Sequence, residues 1–137
     1  MSGAALRLRI YAESVINVEM KRNASFKSNP TAIFEVIEKL SPHFAALMGI
    51  IGFRALLSRA LVLASADVAW LREMHVGKDG LFEGLTELQA QANLEEIHDG
   101  GIVLLVRILG LLVALIGEDL TLRLLSNFND VEISQEN

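Results

Sequence analysis

The chain has 137 residues, which predicts a single domain, and it contains no cysteine, so disulfides, thiolate metal sites and a cysteine nucleophile are excluded. Its net charge is −5, with 17 acidic against 12 basic residues and no dense run of lysine and arginine, and we therefore expect no nucleic-acid binding. Hydrophobic residues make up 52% of the chain, a surplus that a small protein must bury, and a second copy of the chain is the simplest surface for it.

The N-terminal region predicts two helices. The first ten residues contain no uninterrupted apolar stretch, which argues against a secretory signal, and we expect the protein to be cytoplasmic. Residues 4–23 alternate at first and then follow helical spacing; because a lone strand would leave its backbone groups unpaired, this segment is predicted to be a helix. Asn29 followed by Pro30 predicts the start of a second helix, which runs to Leu40.

The next feature is Pro42, which predicts a break in the helix. Ser41 followed by Pro42 indicates that the chain turns or kinks, because proline lacks the N–H that would continue the preceding helix. A new helix is expected from Pro42 through Phe44–Ala66, a stretch that is apolar on nearly every side. Beyond it, Gly77–Gly80 predicts a turn whose apolar flanks either form a small hairpin or tuck under the bundle.

A further helix is predicted from a capping box at Thr86–Gln89 toward His98. Gly100 and Gly101 are expected to break or kink it, since each glycine costs helix stability.

The second apolar stretch, Ile102–Leu125, lies in a last helix that is predicted to end near Phe128. Residues 129–137 are predicted to be a disordered polar tail. The pattern as a whole predicts an all-α fold. We expect a bundle of about five helices in one domain over residues 1–128, with the two apolar helices central and antiparallel.

Small side chains recur along the last helix in a way that places them on one side: Gly110, Ala114, Gly117 and Thr121. Such a stripe lets the backbone of another helix approach closely. It is equally compatible with a tight crossing inside one chain and with an interface between two copies.

Three charged residues lie within the apolar stretches: Arg54, Arg107 and Glu118. A buried charge is tolerated only when it is paired and hydrogen-bonded. We hypothesise that Arg54 or Arg107 meets Glu118 across a helix–helix contact and fixes its register. In the alternative, each guanidinium reaches water along its aliphatic stem. The predicted interface consists of these three residues together with the four small residues of the stripe.

The sequence offers no catalytic or metal-binding constellation. Glu95 and His98 form one Glu-x-x-His, whereas di-iron bundles need two such motifs and two further glutamates, so we predict no metal site. There is also no nucleophile–base motif, phosphate-binding glycine loop or cofactor fingerprint. We therefore predict a protein without cofactor that is not an enzyme.

Neither apolar stretch is typical of a membrane span. Ile102–Gly117 has sixteen residues with Arg107 among them, fewer than the roughly twenty that a span needs. Phe44–Ala66 is long enough, but Arg54 and Arg59 would each cost roughly 2.5–3.5 kcal/mol near the bilayer centre.

Two runs, Gly52–Ala60 and Leu115–Leu125, resemble segments of uncharacterised bacterial all-helical proteins that we associate with sensory signalling. The resemblance implies a regulatory or adaptor role and carries no catalytic residue. We expect a helical interaction protein that self-associates, first as a homodimer, and binds a partner protein. The first alternative is a bundle that binds a small apolar ligand such as a lipid or fatty acid. The second is a two-span membrane hairpin.

Overall fold

A computed structural model describes residues 10, 12–13, 32–78, 82–84, 87 and 93–134, with the backbone alone for Ala32, Leu94 and 127–134. These residues are mostly helical, which confirms the all-α class. Their elements are α1 (Ala32–Met48), α2 (Ile50–Asp67), a 3-10 helix (Ala69–Glu73), β1 (His75–Val76), β2 (Phe82–Glu83), α3 (Leu94–Ile116) and α4 (Glu118–Ser134). The count of five helices stays a prediction, because the segment 4–23 and the Asn29–Pro30 cap lie largely outside the described residues.

Single glycines join α1 to α2 and α3 to α4. Gly49 (φ 81°, ψ 156°) and Gly117 (φ 90°, ψ 160°) adopt a backbone conformation that side chains with a Cβ rarely reach. The Gly49 N–H donates to the Ala45 carbonyl at 2.7 Å, and its own carbonyl accepts from the Phe53 N–H at 3.0 Å. Gly117 makes the two equivalent bonds. Each glycine thus changes the chain direction while both helix ends keep backbone partners.

We expect Gly117→Ala to destabilise the fold by about 1–3 kcal/mol, because an L side chain at this φ is strained. Nothing lies within 4 Å of an added Cβ, so crowding would not contribute. The matched control is Gly52→Ala inside α2, whose Cβ would lie 3.7 Å from Met48 Cβ, an ordinary contact. Replacing a helical glycine there is expected to stabilise by up to about 1 kcal/mol. Urea unfolding followed by circular dichroism measures both, and a Gly117→Ala variant as stable as the parent would contradict the prediction.

The separate helices predicted on either side of Ser41–Pro42 are one helix, because α1 continues through Pro42 to Met48. A proline inside a helix removes one backbone donor. Pro42 is exposed, so the carbonyl that loses this donor is on the solvent side of the helix. The chain turns instead at Gly49, where a positive φ is available.

Gly100 and Gly101 do not end the helix either, since α3 runs through both of them. A Cβ at Gly100 would overlap Trp70 Cζ2 and lie 3.0 Å from its Cη2, and a Cβ at Gly101 would lie 3.0 Å from Ile33 Cβ. The two glycines therefore let Trp70 and Ile33 pack against the helix backbone, and that packing offsets their low helix propensity.

The start of α3 is capped by Asn93, whose Oδ1 accepts from the Glu96 backbone N–H at 2.9 Å. The capping box predicted at Thr86–Gln89 lies largely outside the described residues.

The end of α4 differs from the prediction, because the helix passes Phe128 and continues to Ser134, within the predicted tail. No glycine or proline follows Gly117 in the sequence to end the helix earlier. Residues 135–137 lie outside the described part.

The two short strands confirm the hairpin that was one of two expectations for this region. They pair antiparallel, with Val76 opposite Phe82. The Phe82 N–H donates to Glu38 Oε2 on α1 at 3.1 Å. Arg54 Nε, on α2, donates to the Gly77 carbonyl at 3.0 Å. These two bonds attach the hairpin to both helices.

Buried side chains from α1, α2 and α3 form one core, and its largest members include Phe34, Phe44, Phe53, Leu57, Leu104 and Leu105. Gly52, near the start of α2, lines the same groove as Leu115, near the end of α3. At the other end of α2, Asp67 forms an ion pair with Arg107 of α3. The start of α2 therefore lies beside the end of α3, and both glycine junctions lie at this end of the molecule.

Candidate functional site

Two charged residues of the predicted interface, Arg54 and Arg107, have described partners within the chain. Arg54 is half-buried and bonds the Gly77 carbonyl. Arg107 is 44% exposed, and its Nη2 lies 2.8 Å from Asp67 Oδ2. An exposed ion pair of this kind contributes only about 0.2–1 kcal/mol. Both guanidinium groups thus bind within the chain, and neither of these contacts involves the half-buried Glu118.

The stripe of small residues is interrupted. Gly110 and Ala114 belong to α3, whereas Thr121 belongs to α4, and Gly117 lies between the helices. Thr121 is 1% exposed, and its Oγ1 donates to the Gly117 carbonyl at 2.8 Å. The regular rotation per residue that placed the four on one face ends at Gly117, so helical spacing no longer places Thr121 on the same face as Gly110 and Ala114.

An open groove of about 380 Å³ lies between α2 and α3. Its walls are mainly apolar, and they consist of Gly52, Ala55, Leu56, Arg59, Leu111, Ala114 and Leu115. Three of these residues are glycine or alanine, which leaves the space open. Of the seven predicted interface residues, Ala114 alone lines this groove.

The most concentrated apolar surface lies around the two glycine junctions. Seven large hydrophobic side chains are exposed among the described residues. Five of them lie within five residues of Gly49 or Gly117; we call these five the junction end: Leu47, Ile50, Ile51, Leu115 and Leu120. Ile51 is 77% exposed and Leu115 is 65% exposed. The fold of a single chain does not bury these side chains.

A second concavity, of about 500 Å³, adjoins the junction end at the start of α4. Glu118, Asp119 and Arg123 line it together with Leu120. An apolar centre with charged residues at its border is the usual anatomy of a protein–protein interface.

The junction end was not predicted from the sequence, in which the charged residues inside the apolar stretches are the more conspicuous feature. The signal was present as large apolar residues on both sides of two glycines, as in Leu47 to Ile51. The sequence alone does not show that Gly49 and Gly117 join helices. It therefore does not show that the apolar residues beside them stay exposed.

No group of three or more histidine, aspartate or glutamate side chains that could hold a metal occurs in the described part of the chain. Among the described helices, Glu95–Ile116 is the one long and apolar enough to cross a membrane by length and composition, and 39% of its most apolar window is buried. The core helix of a soluble protein meets the same criterion, so this is weak evidence for a span.

The candidate function therefore rests on the groove and on the junction end. No family model matches the chain, and no curated protein or solved structure shows significant similarity to it.

Proposed function

We propose that this chain is a non-enzymatic interaction protein that self-associates through the junction end, first as a homodimer, and presents its remaining helical surface to a partner protein. The observation that carries the proposal is the concentration of five of the seven exposed large hydrophobic side chains at one end of the molecule. Apolar surface gathered in this way marks an association site more often than scattered exposed residues do.

A two-fold assembly would place the same patch of each copy against the other. The five junction-end residues include no charged side chain, whereas Glu118, Asp119 and Arg123 border them. Such a patch can lose its water on contact while the charges stay hydrated at the rim. The 52% hydrophobic composition supports the same conclusion, because burial between copies accommodates an apolar surplus that one small chain leaves exposed.

The proposal also covers the arrangement of the helices, the cellular role and the cellular location. α2 and α3 would form the antiparallel centre of a bundle of about five helices, supported by the placement of Gly52 beside Leu115 and of Asp67 beside Arg107. A regulatory or adaptor role is what the resemblance to bacterial helical proteins implies. The expected location is the cytoplasm, because the first ten residues lack the apolar stretch of a secretory signal.

The test is light scattering after size exclusion, in detergent-free buffer over a concentration series. We expect a dimer for the parent protein. A variant that combines Ile51→Glu with Leu120→Glu should dissociate with a Kd at least about tenfold higher, since two carboxylates would have to be buried in the interface.

The matched control is Val62→Glu. Val62 is also on α2 and is 69% exposed, but it lies outside the junction end. This change should leave the dimer intact, and circular dichroism verifies that each variant is folded. A parent protein that stays monomeric at every concentration, or a control that dissociates the dimer equally, would overturn the proposal. Protein recoverable only in detergent would favour the membrane hairpin.

A further inference from the structure

The groove between α2 and α3 is a channel that is open to solvent and has mainly apolar walls. Gly52 and Ala55 of α2 face Ala114 of α3 across it, and Leu56, Leu111 and Leu115 complete the apolar lining. From Gly52 to Arg59 the channel follows α2 for about 10 Å, at the usual helical rise per residue. Its volume of about 380 Å³ is within the range of small-ligand sites.

One end of the channel carries a positive charge. Arg59 is exposed and is the one charged residue among those that line the groove in the described part of the chain. No hydrogen bond or ion pair reaches its guanidinium from the described residues. Arg54 and Arg107, in contrast, each bind a described partner. The planar fork of an arginine matches a carboxylate, which accepts two parallel hydrogen bonds.

We propose that this groove binds a single long-chain carboxylate, a fatty acid or a related amphiphile, with its acyl chain between α2 and α3 and its head group on Arg59. An apolar channel with one cation at one end is complementary to a ligand with one apolar chain and one anionic end. This function goes beyond self-association, and its site shares only Leu115 with the junction end.

The first experiment compares dodecanoate with dodecanol in calorimetric titrations at neutral pH, below the concentration at which either aggregates. The two ligands have the same chain and differ in charge. The parent protein is expected to bind dodecanoate saturably and more tightly than dodecanol. Arg59→Gln should weaken dodecanoate binding about fivefold, the effect of a partly exposed ion pair, and leave dodecanol binding unchanged. Arg72→Gln, which removes an exposed arginine away from the groove, should change neither.

The second experiment fills the channel. Ala114→Leu replaces an exposed lining residue, so the fold is preserved while the groove narrows. It should weaken binding of both ligands at least about fivefold, since apolar contacts to the chain are lost. Ala66→Leu, at an exposed position of α2 outside the groove, is the control.

Three results would overturn the proposal. The first is a parent protein that shows no saturable binding of dodecanoate. The second is an Arg59→Gln variant that binds both ligands more weakly by the same factor, which would show that the charge of Arg59 does not select the carboxylate. The third is an Ala114→Leu variant whose oligomeric mass changes in light scattering while its ligand affinity does not. That result would show that the groove is an interface between protein chains.

Discussion

Phe34→Ala is expected to destabilise the fold by about 3–5 kcal/mol, the largest effect that we predict for a single substitution. Phe34 is 1% exposed. Its ring lies edge-to-face with Phe82 at 5.7 Å between centroids, and tilted against Trp70 at 6.3 Å. The Phe34 side chain of α1 thus packs against both the hairpin and the 3-10 helix. Its removal would leave a cavity between these two segments.

Urea unfolding at a fixed protein concentration, followed by far-ultraviolet circular dichroism, measures the free energy of unfolding. Small domains are stable by only about 5–15 kcal/mol, so Phe34→Leu, with an expected cost of about 1–2 kcal/mol, provides a milder variant that keeps a folded baseline. Val62→Ala, on an exposed side chain, should change stability by less than about 0.5 kcal/mol. A Phe34→Ala effect as small as that of Val62→Ala would contradict the described core.

Gly100→Ala should destabilise by about 1–3 kcal/mol, although alanine is the better helix former. The added Cβ would overlap Trp70 Cζ2, and Trp70 packs against Phe34 and cannot move away freely. Overpacking of this kind forces a side chain off its rotamer or shifts the backbone. The expected cost therefore exceeds the gain in propensity, whereas the same change at Gly52 has room and should be neutral or favourable.

A double-mutant cycle isolates the cause. Trp70→Phe removes the ring that contains Cζ2, so the added methyl group of Gly100→Ala should be accommodated in the double variant. The cost of Gly100→Ala in the Trp70→Phe background should fall by at least about 1 kcal/mol relative to its cost in the parent. Additive effects of the two substitutions would show that Gly100 is needed for another reason.

The helical class could be predicted, and the hairpin was one of two predicted alternatives, because both depend on local signals. Apolar residues at helical spacing and the Gly77–Gly80 turn act over a few neighbours. The positions where the chain changes direction were predicted wrongly. Pro42 carries the stronger local signal, yet a helix tolerates the loss of one donor, and the break occurs at Gly49. Nothing local distinguishes Gly49 from Gly52, which lies inside a helix.

In the candidate site, too, the contacts that depend on packing could not be predicted from local signals. Arg107 lies among apolar neighbours in the sequence, so a buried pair with Glu118 was a reasonable hypothesis, but its side chain is 44% exposed and bonds Asp67. The choice of partner depends on which residue of α2 lies beside it. That alignment follows from the packing of two helices far apart in the sequence.

The sequence by itself determined the helical class, the exclusion of cysteine chemistry and the existence of an apolar surplus, because composition and periodicity express these directly. Only the tertiary structure decided which apolar residues stay exposed. Exposure at Ile51 and Leu115 depends on the positive φ of Gly49 and Gly117, which directs the following helices. Backbone direction at a glycine is selected by the packing of the whole chain, since glycine alone accepts either sign of φ at little cost.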